Sequence, residues 1–339
     1  MNPHWTEFLS REGAVIDGHT IRFGTESRAG EQTIAVPLVH LGLIRSTGAD
    51  SAVFLHNLFS NDVKALAADA AQWNSFNSPK GRMLASFLIW SEADGHRLAL
   101  SADIQPAMLK KLSMYVLRSK VKLEDASADT ALIGVSGAHA AQALEAAGFG
   151  VPASAMHQLS DGEARCIRLN DDSFIIAVPA AEAAQRWQAL VGAGAAPAGT
   201  AAWQLAMIRS GLPLITAATQ EEFVAQMLNY ELIGGVSFNK GCYPGQEIVA
   251  RTQYLGKLKK RMYRVHVAAD EAPQPGTDVF TAQFGEQSAG KVVNVAPAPD
   301  GGFEALIVLQ TSCAEAGDAH LGSPGGPRLS FLSLPYAVS

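Results

Sequence analysis

The chain is poor in cysteine. It holds only Cys166, Cys242 and Cys313 among its 339 residues. An odd number of widely separated cysteines fits neither a disulfide framework nor a Cys-x-x-Cys metal or cluster site. The nine histidines also lack His-x-x-x-His or His–Glu spacing, so we predict no metal site. Any metal or cluster chemistry must therefore be indirect or shared with another protein.

Long apolar runs are also missing. No uninterrupted apolar stretch approaches the roughly 18 residues that span a bilayer, and the first residues lack a secretory pattern. The formal net charge of −6 gives no overall basic field for wrapping nucleic acid or an anionic membrane. With 48% hydrophobic residues, the chain has an ordinary globular composition and length for two or three domains. We expect a cytoplasmic protein without a membrane segment.

Residues 34–210 alternate between strand and helix patterns, which predicts an α+β fold. We predict a strand at 34–44, a helix at 49–59, strands at 83–90 and 96–101, and a helix begun by Pro106. The order that follows, strand 131–135, helix 138–147, a hairpin, strand 174–178 and a helix after Pro179, indicates a ferredoxin-like lobe. The Gly- and Ala-rich stretch 192–199 reads as a connection.

The last third of the chain predicts two helices and then an all-β region. The first helix, 200–210, stops at Gly211, and Thr219 has the capping-box pattern that predicts a second helix. From Met262 onward, short apolar runs separated by turn residues predict a small barrel or sandwich.

The segment 240–247, Lys-Gly-Cys-Tyr-Pro-Gly-Gln-Glu, carries the clearest chemistry. Gly241 and Gly245 bracket a tight connection that displays Cys242 on a loop. Lys240 could lower the pKa of the thiol by stabilising the thiolate, with Gln246 and Glu247 supplying polar groups nearby. The alternative is a buried Cys242 in a simple turn, with a solvated Lys240.

The wider pattern Gly-Gly-Val-Ser-Phe-Asn-Lys-Gly-Cys-Tyr-Pro-Gly-Gln-Glu-Ile-Val-Ala-Arg at 234–251 resembles the signature of the YgfZ family, relatives of the aminomethyltransferase of glycine cleavage. Weaker matches occur in the same order along most of residues 38–262. They are Thr47–Asp50, Asn61–Val63, Ser78–Met83, Tyr115–Val121 and Gln226–Tyr230.

The resemblance implies a three-lobed, glycine cleavage T-protein-like fold around a central hole that accepts tetrahydrofolate. Two interleaved ferredoxin-like lobes would occupy residues 1–255, with boundaries near 125–130 and 192–199, and a β-barrel would occupy 256–339. The implied function is that of an accessory protein for assembly or repair of iron–sulfur enzymes, including those that thiolate tRNA. The resemblance makes Cys242 and Lys240 the catalytic candidates, and assigns folate contacts to Trp203, Arg209, Asn229, Tyr243 and Gln246.

Two positions depart from the transferase relatives. Ala85 and Ser86 stand where a carboxylate beside the reacting folate nitrogen is expected, so we predict no aminomethyl transfer. Arg209 stands where relatives carry a glutamate for the pterin ring, and an arginine cannot accept the pterin's N–H donors. Trp203 matches a tryptophan that the family places against folate, but it could equally fill the core.

Charge adds a further hypothesis. Seven basic residues lie between positions 240 and 264 against the single acid Glu247: Lys240, Arg251, Lys257, Lys259, Lys260, Arg261 and Arg264. Such a patch could attract a polyglutamate folate tail, tRNA or an acidic partner, or be a solvated face. A second group comprises Lys110, Lys111, Arg118, Lys120 and Lys122. The alternatives to the accessory role are a folate-dependent one-carbon transferase with an unrecognised acid, and a tRNA-binding scaffold.

Overall fold

The structure is a computed structural model that describes residues 1–24, 32–254 and 258–338. The chain divides into two compact units that are interleaved in sequence. Unit 1 comprises Met1–Leu55, Val63–Gln72 and Phe87–Ala206, and unit 2 comprises His56–Asp62, Trp73–Ser86 and Met207–Ser339. The three-lobed division with boundaries near 125–130, 192–199 and 255 stays a prediction.

The helices are α1 (Pro3–Arg11), α2 (Ser51–Leu58), α3 (Gln105–Ser113), α4 (Ala140–Ala146), α5 (Ala183–Gly192), α6 (Thr200–Arg209), α7 (Gln246–Tyr254) and α8 (Thr311–Ala316). Their ends follow local chemistry. The Asn2 side chain accepts the N–H groups of His4 and Trp5 at the start of α1. Past the end of α6, Gly211 adopts a left-handed φ of +67°. In the described part of the chain, no helix is long and apolar enough to cross a membrane.

The strands are β1 (Ala14–Asp17), β2 (Thr20–Phe23), β3 (Ile34–Pro37), β4 (Leu41–Thr47), β5 (Ala71–Asn77), β6 (Met83–Glu92), β7 (Gly95–Ser101), β8 (Lys122–Asp125), β9 (Thr130–Ser136), β10 (Gln158–Asp161), β11 (Ala164–Arg168), β12 (Ser173–Pro179), β13 (Ala196–Pro197), β14 (Lys260–Val267), β15 (Asp278–Phe280), β16 (Gly290–Pro297), β17 (Phe303–Gln310), β18 (His320–Leu321) and β19 (Leu329–Leu332). Short 3₁₀ turns occur at 63–65, 225–228 and 282–284.

One six-stranded sheet of unit 1 has the order β10-β11-β12-β9-β3-β13. Its segments β9, α4, β11, β12 and α5 follow the strand–helix–strand–strand–helix order that the sequence predicted, with β3 from earlier in the chain placed between β9 and β13. Buried side chains on one face pack against α1, α4 and α5, with Trp187 stacked on Phe23. The predicted ferredoxin-like pattern is thus present with an inserted strand.

The single strand predicted at 34–44 is wrong, because the chain turns at Leu38 and continues as a second strand. The N–H of Leu41 donates to the carbonyl of Leu38 at 3.0 Å. Strand β3 pairs with β9, whereas β4 pairs with β7 in a five-stranded sheet of order β5-β6-β7-β4-β8. One apolar run therefore supplies strands to two sheets.

The C-terminal part of unit 2 is a curled, six-stranded antiparallel half-barrel of order β18-β15-β16-β17-β14-β19. Its inner face is aliphatic, and helix α8 covers it with the buried Cys313. A bridge between His320 and Arg328 joins the chain just before β19 to β18. The predicted C-terminal β region is confirmed, with the short helix α8 added to it.

The helix predicted from the capping box at Thr219 is wrong. Glu221 has a left-handed φ of +60°, which a helix cannot contain. Its N–H donates to the carbonyl of Met83 at 2.9 Å, and the Thr219 hydroxyl accepts the N–H of Thr216 at 3.1 Å. Contacts with strand β6, distant in sequence, therefore replace the helix, and only the 3₁₀ turn at 225–228 follows.

Candidate functional site

Cys242 is exposed on the loop that precedes α7, whereas Cys166 and Cys313 are buried, and all three thiols are free. Burial raises the pKa of the Cys166 thiol to about 12, so this thiol stays protonated at neutral pH. Of the three sulfurs, only that of Cys242 is positioned to react with a molecule outside the chain.

The loop is anchored by Lys240, whose side chain enters a ring of backbone carbonyls at the end of α2. Its ammonium donates to the carbonyl oxygens of His56, Phe59 and Asn61, the last at 3.1 Å. The same nitrogen lies 4.9 Å above the ring of Tyr243. An ammonium has three N–H donors, and the three carbonyls use them all.

This placement differs from both sequence interpretations of Lys240. The residue is buried rather than solvated, and its N–H donors face carbonyls of the segment 56–61. Burial lowers the pKa of Lys240 to about 8, and the carboxylate of Asp62 opposes this shift. Lys240 therefore fixes the loop that carries Cys242, and this contact gives it a structural role.

A close approach of two glycines fixes the other side of the loop. Gly245 has a φ of +77°, and a Cβ added there would lie 2.5 Å from the carbonyl oxygen of Ser78 and 2.7 Å from the Cα of Gly81. A Cβ at Gly81 would in turn lie 2.7 Å from the Cβ of Ile248 in α7. The signature loop and the turn at 78–82 thus pack backbone against backbone, which only glycine permits.

Tyr243 and Gln246 shape the start of α7. The Gln246 side-chain oxygen accepts the N–H of Tyr243 at 3.3 Å, which ties the first residue of the helix back to the loop before it. Tyr243 is buried, and burial raises the pKa of its hydroxyl to about 12. The structure therefore brings Lys240, Cys242, Tyr243 and Gln246 together in one local site of unit 2.

Sequence reasoning missed His56 and Asp62 in this site. Asp62 Oδ1 lies 2.9 Å from His56 Nδ1, and a Cβ placed on Gly241 would lie 3.9 Å from His56 Nε2. Lys240 is 184 residues from His56, so no spacing pattern connects them. The only sequence signal was the matched segment Asn61–Val63.

Arg209 does not occupy an open ligand position. Its Nε and NH2 groups donate to Glu304 Oε1 at 3.0 and 2.7 Å, while Arg264 donates to Oε2 at 2.9 Å. A second Arg264 nitrogen lies 2.7 Å from Oε2. Burial acts to raise the pKa of Glu304, but the two arginines hold it below its ordinary value. The four acceptor positions of this carboxylate are thereby filled.

Asn229 is likewise committed to the fold. It adopts a left-handed φ of +55°, which asparagine tolerates better than most residues. Its side-chain amide donates to the carbonyl of Met262 at 2.9 Å, and its oxygen faces the N–H of Met262 at 3.4 Å. The residue joins the 225–228 turn to β14, which leaves its amide little capacity for a ligand.

Trp203 packs in the core of unit 1 and is 2% exposed. A Cβ at Gly134 would lie 2.4 Å from ring atom Cε3, so the glycine in β9 makes room for the indole. Trp203 and Arg209 both lie in α6 but belong to different units. The space-filling alternative describes what this side chain does in the structure.

Ala85 and Ser86 are both buried in β6. The Ser86 hydroxyl accepts the N–H of Ile215 at 2.9 Å, which ties the segment after α6 to the strand. Neither residue ionises near neutral pH. The described residues also contain no group of three or more His, Cys, Asp or Glu side chains arranged to hold a metal ion.

Three of the seven basic residues at 240–264 are engaged within the fold. Lys240 is held by carbonyls, Arg261 pairs with Glu231, and Arg264 pairs with Glu304. Burial, followed by the charges of Arg82 and Lys291, lowers the pKa of the half-buried Lys260. Arg251 and Lys259 remain exposed, and Lys257 lies outside the described residues.

Comparison with known proteins gives consistent matches. A family model described as "GCVT N-terminal domain" matches residues 28–236. A protein of Photobacterium profundum named "tRNA-modifying protein YgfZ" is 30% identical over 307 residues, covering 88% of this chain and 89% of the relative. A protein of the same name from Serratia proteamaculans is 27% identical, covering 90% of this chain and 92% of the relative.

A solved structure has the same fold. The glycine cleavage system aminomethyltransferase T from Bartonella henselae superposes with a TM-score of 0.76, covering 91% of this chain and 87% of the other. Their sequences are 18% identical, so the match supports the fold and carries no residue roles.

Proposed function

Because the chain belongs to the YgfZ family of proteins with a GCVT domain, we propose that it is an accessory protein of iron–sulfur cluster assembly or repair that binds tetrahydrofolate and supports tRNA modification. The observation that carries the proposal is the display of Cys242 as an exposed thiol on a loop fixed at both ends. A fixed, accessible sulfur suits reaction with a second macromolecule. The family assignment is the basis for proposing that this macromolecule is an iron–sulfur protein.

The proposed chemistry is thiol exchange at Cys242. Its thiolate attacks one sulfur of a disulfide on a client protein, a mixed disulfide forms, and the other sulfur leaves as a thiolate. Lys240 contributes by positioning, because its carbonyl contacts hold residue 240 two positions before the sulfur. The rigid Gly245–Gly81 contact limits movement on the other side.

Tetrahydrofolate is proposed as the ligand on the strength of the family resemblance. Two of the five predicted contacts fit poorly, since the polar groups of Arg209 and Asn229 already bind protein atoms. Trp203 fills core space in unit 1, so Tyr243 and Gln246 of unit 2 stay as the candidates for the contacts. No step of the thiol exchange passes through the folate.

Calorimetric titration of tetrahydrofolate into the full chain tests the ligand. We expect saturable binding that weakens at least several-fold in Tyr243→Phe or Gln246→Ala. The matched control is Tyr254→Phe, because Tyr254 is an exposed tyrosine at the other end of α7. Absence of binding to the wild type would remove folate from the proposal without affecting the thiol chemistry.

Mixed-disulfide formation with oxidised glutathione tests the reactive group. We expect a mass increase of one glutathione per folded chain, located at Cys242 by peptide mapping, and none in Cys242→Ala. Modification of Cys166 or Cys313 at a comparable rate in the folded chain would contradict the proposed role.

The two alternative functions gain no specific structural support. A one-carbon transferase needs an acid–base group, and the buried Ala85 and Ser86 do not supply one. A tRNA-binding scaffold would rely on the 240–264 patch, from which several cations are withdrawn by pairing or burial. Catalytic turnover is therefore no part of the proposal. The proposed site of action is the cytoplasm.

A further inference from the structure

The turn that follows α3 in unit 1 exposes large apolar side chains. Leu117 is 88% exposed, Met114 is 63% exposed and Tyr115 is 44% exposed. Single exposed apolar residues are common, but a cluster of them marks an interaction site more often than a bare surface. An open depression of about 710 Å³ lies beside them and is lined by Asp50, Tyr115, Leu117, Arg118 and Ser119.

The exposed Leu117 also has an unfavourable backbone conformation. Its φ is +44°, at the second position of a turn closed by the N–H of Ser119 on the carbonyl of Val116 at 2.8 Å. Glycine, asparagine and aspartate are the usual residues with positive φ at this position. A leucine there disfavours the isolated fold in two ways, since its backbone is strained and its side chain is in water. Favourable binding of Leu117 to a partner molecule would offset both the backbone strain and the exposure of the side chain.

Hydrogen bonds and backbone packing hold the base of the turn in place. The Asp50 carboxylate accepts the N–H of Lys120 at 2.7 Å, and the Asp50 N–H donates back to the carbonyl of Lys120 at 3.4 Å. A Cβ at Gly48 would lie 2.2 Å from that same carbonyl oxygen, so the segments pack in direct backbone contact. The turn therefore presents Leu117 in a defined position.

The surroundings are cationic in a chain whose net charge is −6. Lys122 pairs with Glu124 at 2.6 Å. Four other cations form no ion pair with any residue that the structure describes: Lys110, Lys111, Arg118 and Lys120. Exposed aliphatic groups thus stand among cations that have no acidic partner within the described chain. Charge complementarity calls for carboxylates on whatever covers the turn.

We propose that residues 113–121 form a docking turn for a partner protein that presents an apolar pocket bordered by carboxylates. Leu117 and Met114 would enter the pocket, and the surrounding cations would face its rim. Single-stranded nucleic acid is bound mainly by stacking on aromatic rings and arginine. The turn has one such ring, Tyr115, and one arginine, Arg118, but its two most exposed apolar side chains, Leu117 and Met114, cannot stack on bases, so a protein pocket fits the turn better. The docking turn does not depend on the thiol chemistry, so failure of either proposal leaves the other standing.

Site-specific photo-crosslinking identifies what covers the turn. Benzoylphenylalanine is placed at position 117 of the full chain in the host cell and, as the control, at Leu159, a 44% exposed leucine of the same unit. We expect position 117, and not 159, to yield a protein adduct whose crosslinked peptide combines apolar and acidic residues. An adduct to RNA or to a second copy of this chain would overturn the proposal. So would the absence of any adduct above the control level.

Purified components then test the contribution of each group. Leu117→Asn and Arg118→Glu should each weaken binding of the crosslinked partner about tenfold or more, whereas Leu159→Asn should leave it unchanged. Because asparagine tolerates positive φ, Leu117→Asn should unfold at the same or a higher denaturant concentration than the wild type. Equal affinities for Leu117→Asn and Leu159→Asn would contradict the docking role.

Discussion

The ammonium of Lys240 donates a hydrogen bond to the carbonyl oxygen of Asn61, 3.1 Å away and 179 residues earlier in the chain. Two further carbonyls from the same segment complete the set. This relationship assigns the lysine of the signature to holding the loop in place, and it leaves Cys242 as the group that faces outward.

Removal of the Lys240 ammonium should destabilise the fold. Lys240→Met keeps the aliphatic stem but leaves buried carbonyls without donors, which should cost about 2–4 kcal/mol. Urea unfolding of the variant measures the loss. The control, Lys80→Met, removes an exposed lysine and should change the free energy of unfolding by less than about 0.5 kcal/mol. If Lys240→Met unfolds like the wild type, the anchoring role is wrong.

The same residue gives a pH dependence. The pKa of Lys240 is lowered from 10.5 to about 8 in the folded chain. Between these pH values the unfolded chain holds a proton that the folded chain releases, so this group makes the free energy of unfolding rise with pH. The free energy of unfolding of the wild type, relative to that of Lys240→Met, should therefore rise between pH 8 and 10. A relative decrease over that range would show that the carbonyls raise the pKa instead.

Gly245 and Gly234 form a matched pair for testing the contact between the two loops. Their φ values are +77° and +74°, but a Cβ at Gly234 meets no atom within 4 Å whereas one at Gly245 would strike backbone. Gly234→Ala should cost about 1 kcal/mol from the left-handed backbone alone. Gly245→Ala should cost distinctly more in the same urea titration. Equal losses would show that the loops can separate without penalty.

Thiol accessibility should follow burial. In the folded chain we expect iodoacetamide to modify Cys242 within minutes, while Cys166 and Cys313 react only after unfolding. Burial raises the pKa of Cys166 to about 12, which adds a chemical barrier to the steric one. Peptide mass spectrometry reads out each site separately. Rapid modification of Cys166 without denaturant would contradict the described burial.

Local patterns predicted most of the fold because they report local causes. The hairpin at Asn170–Asp172 and the stop at Gly211 were predicted from local turn and helix-end residues, and both are confirmed. The capping box at Thr219 failed because the N–H of Glu221 bonds to the carbonyl of Met83, well over a hundred residues away. Propensity yields to such tertiary contacts.

The site shows the same limit. The glycines around Cys242 and the family pattern located the loop, because both are contiguous in sequence. The partners of Lys240, Arg209 and Asn229 come from distant segments, so sequence alone could not tell whether these polar groups were free for a ligand. The charge count at 240–264 could not show which of the cations are paired, since pairing is a property of the folded chain.

Complementation with Cys242→Ala measures whether the exposed thiol is required for function in the cell. In cells that lack the protein, the wild-type chain should restore the activity of an iron–sulfur enzyme that thiolates tRNA, measured as the fraction of thiolated nucleoside. Cys242→Ala should accumulate to the same level and unfold at the same urea concentration, yet fail to restore thiolation. The buried-cysteine variant Cys313→Ala should restore it. Full restoration by Cys242→Ala at equal abundance would contradict the account.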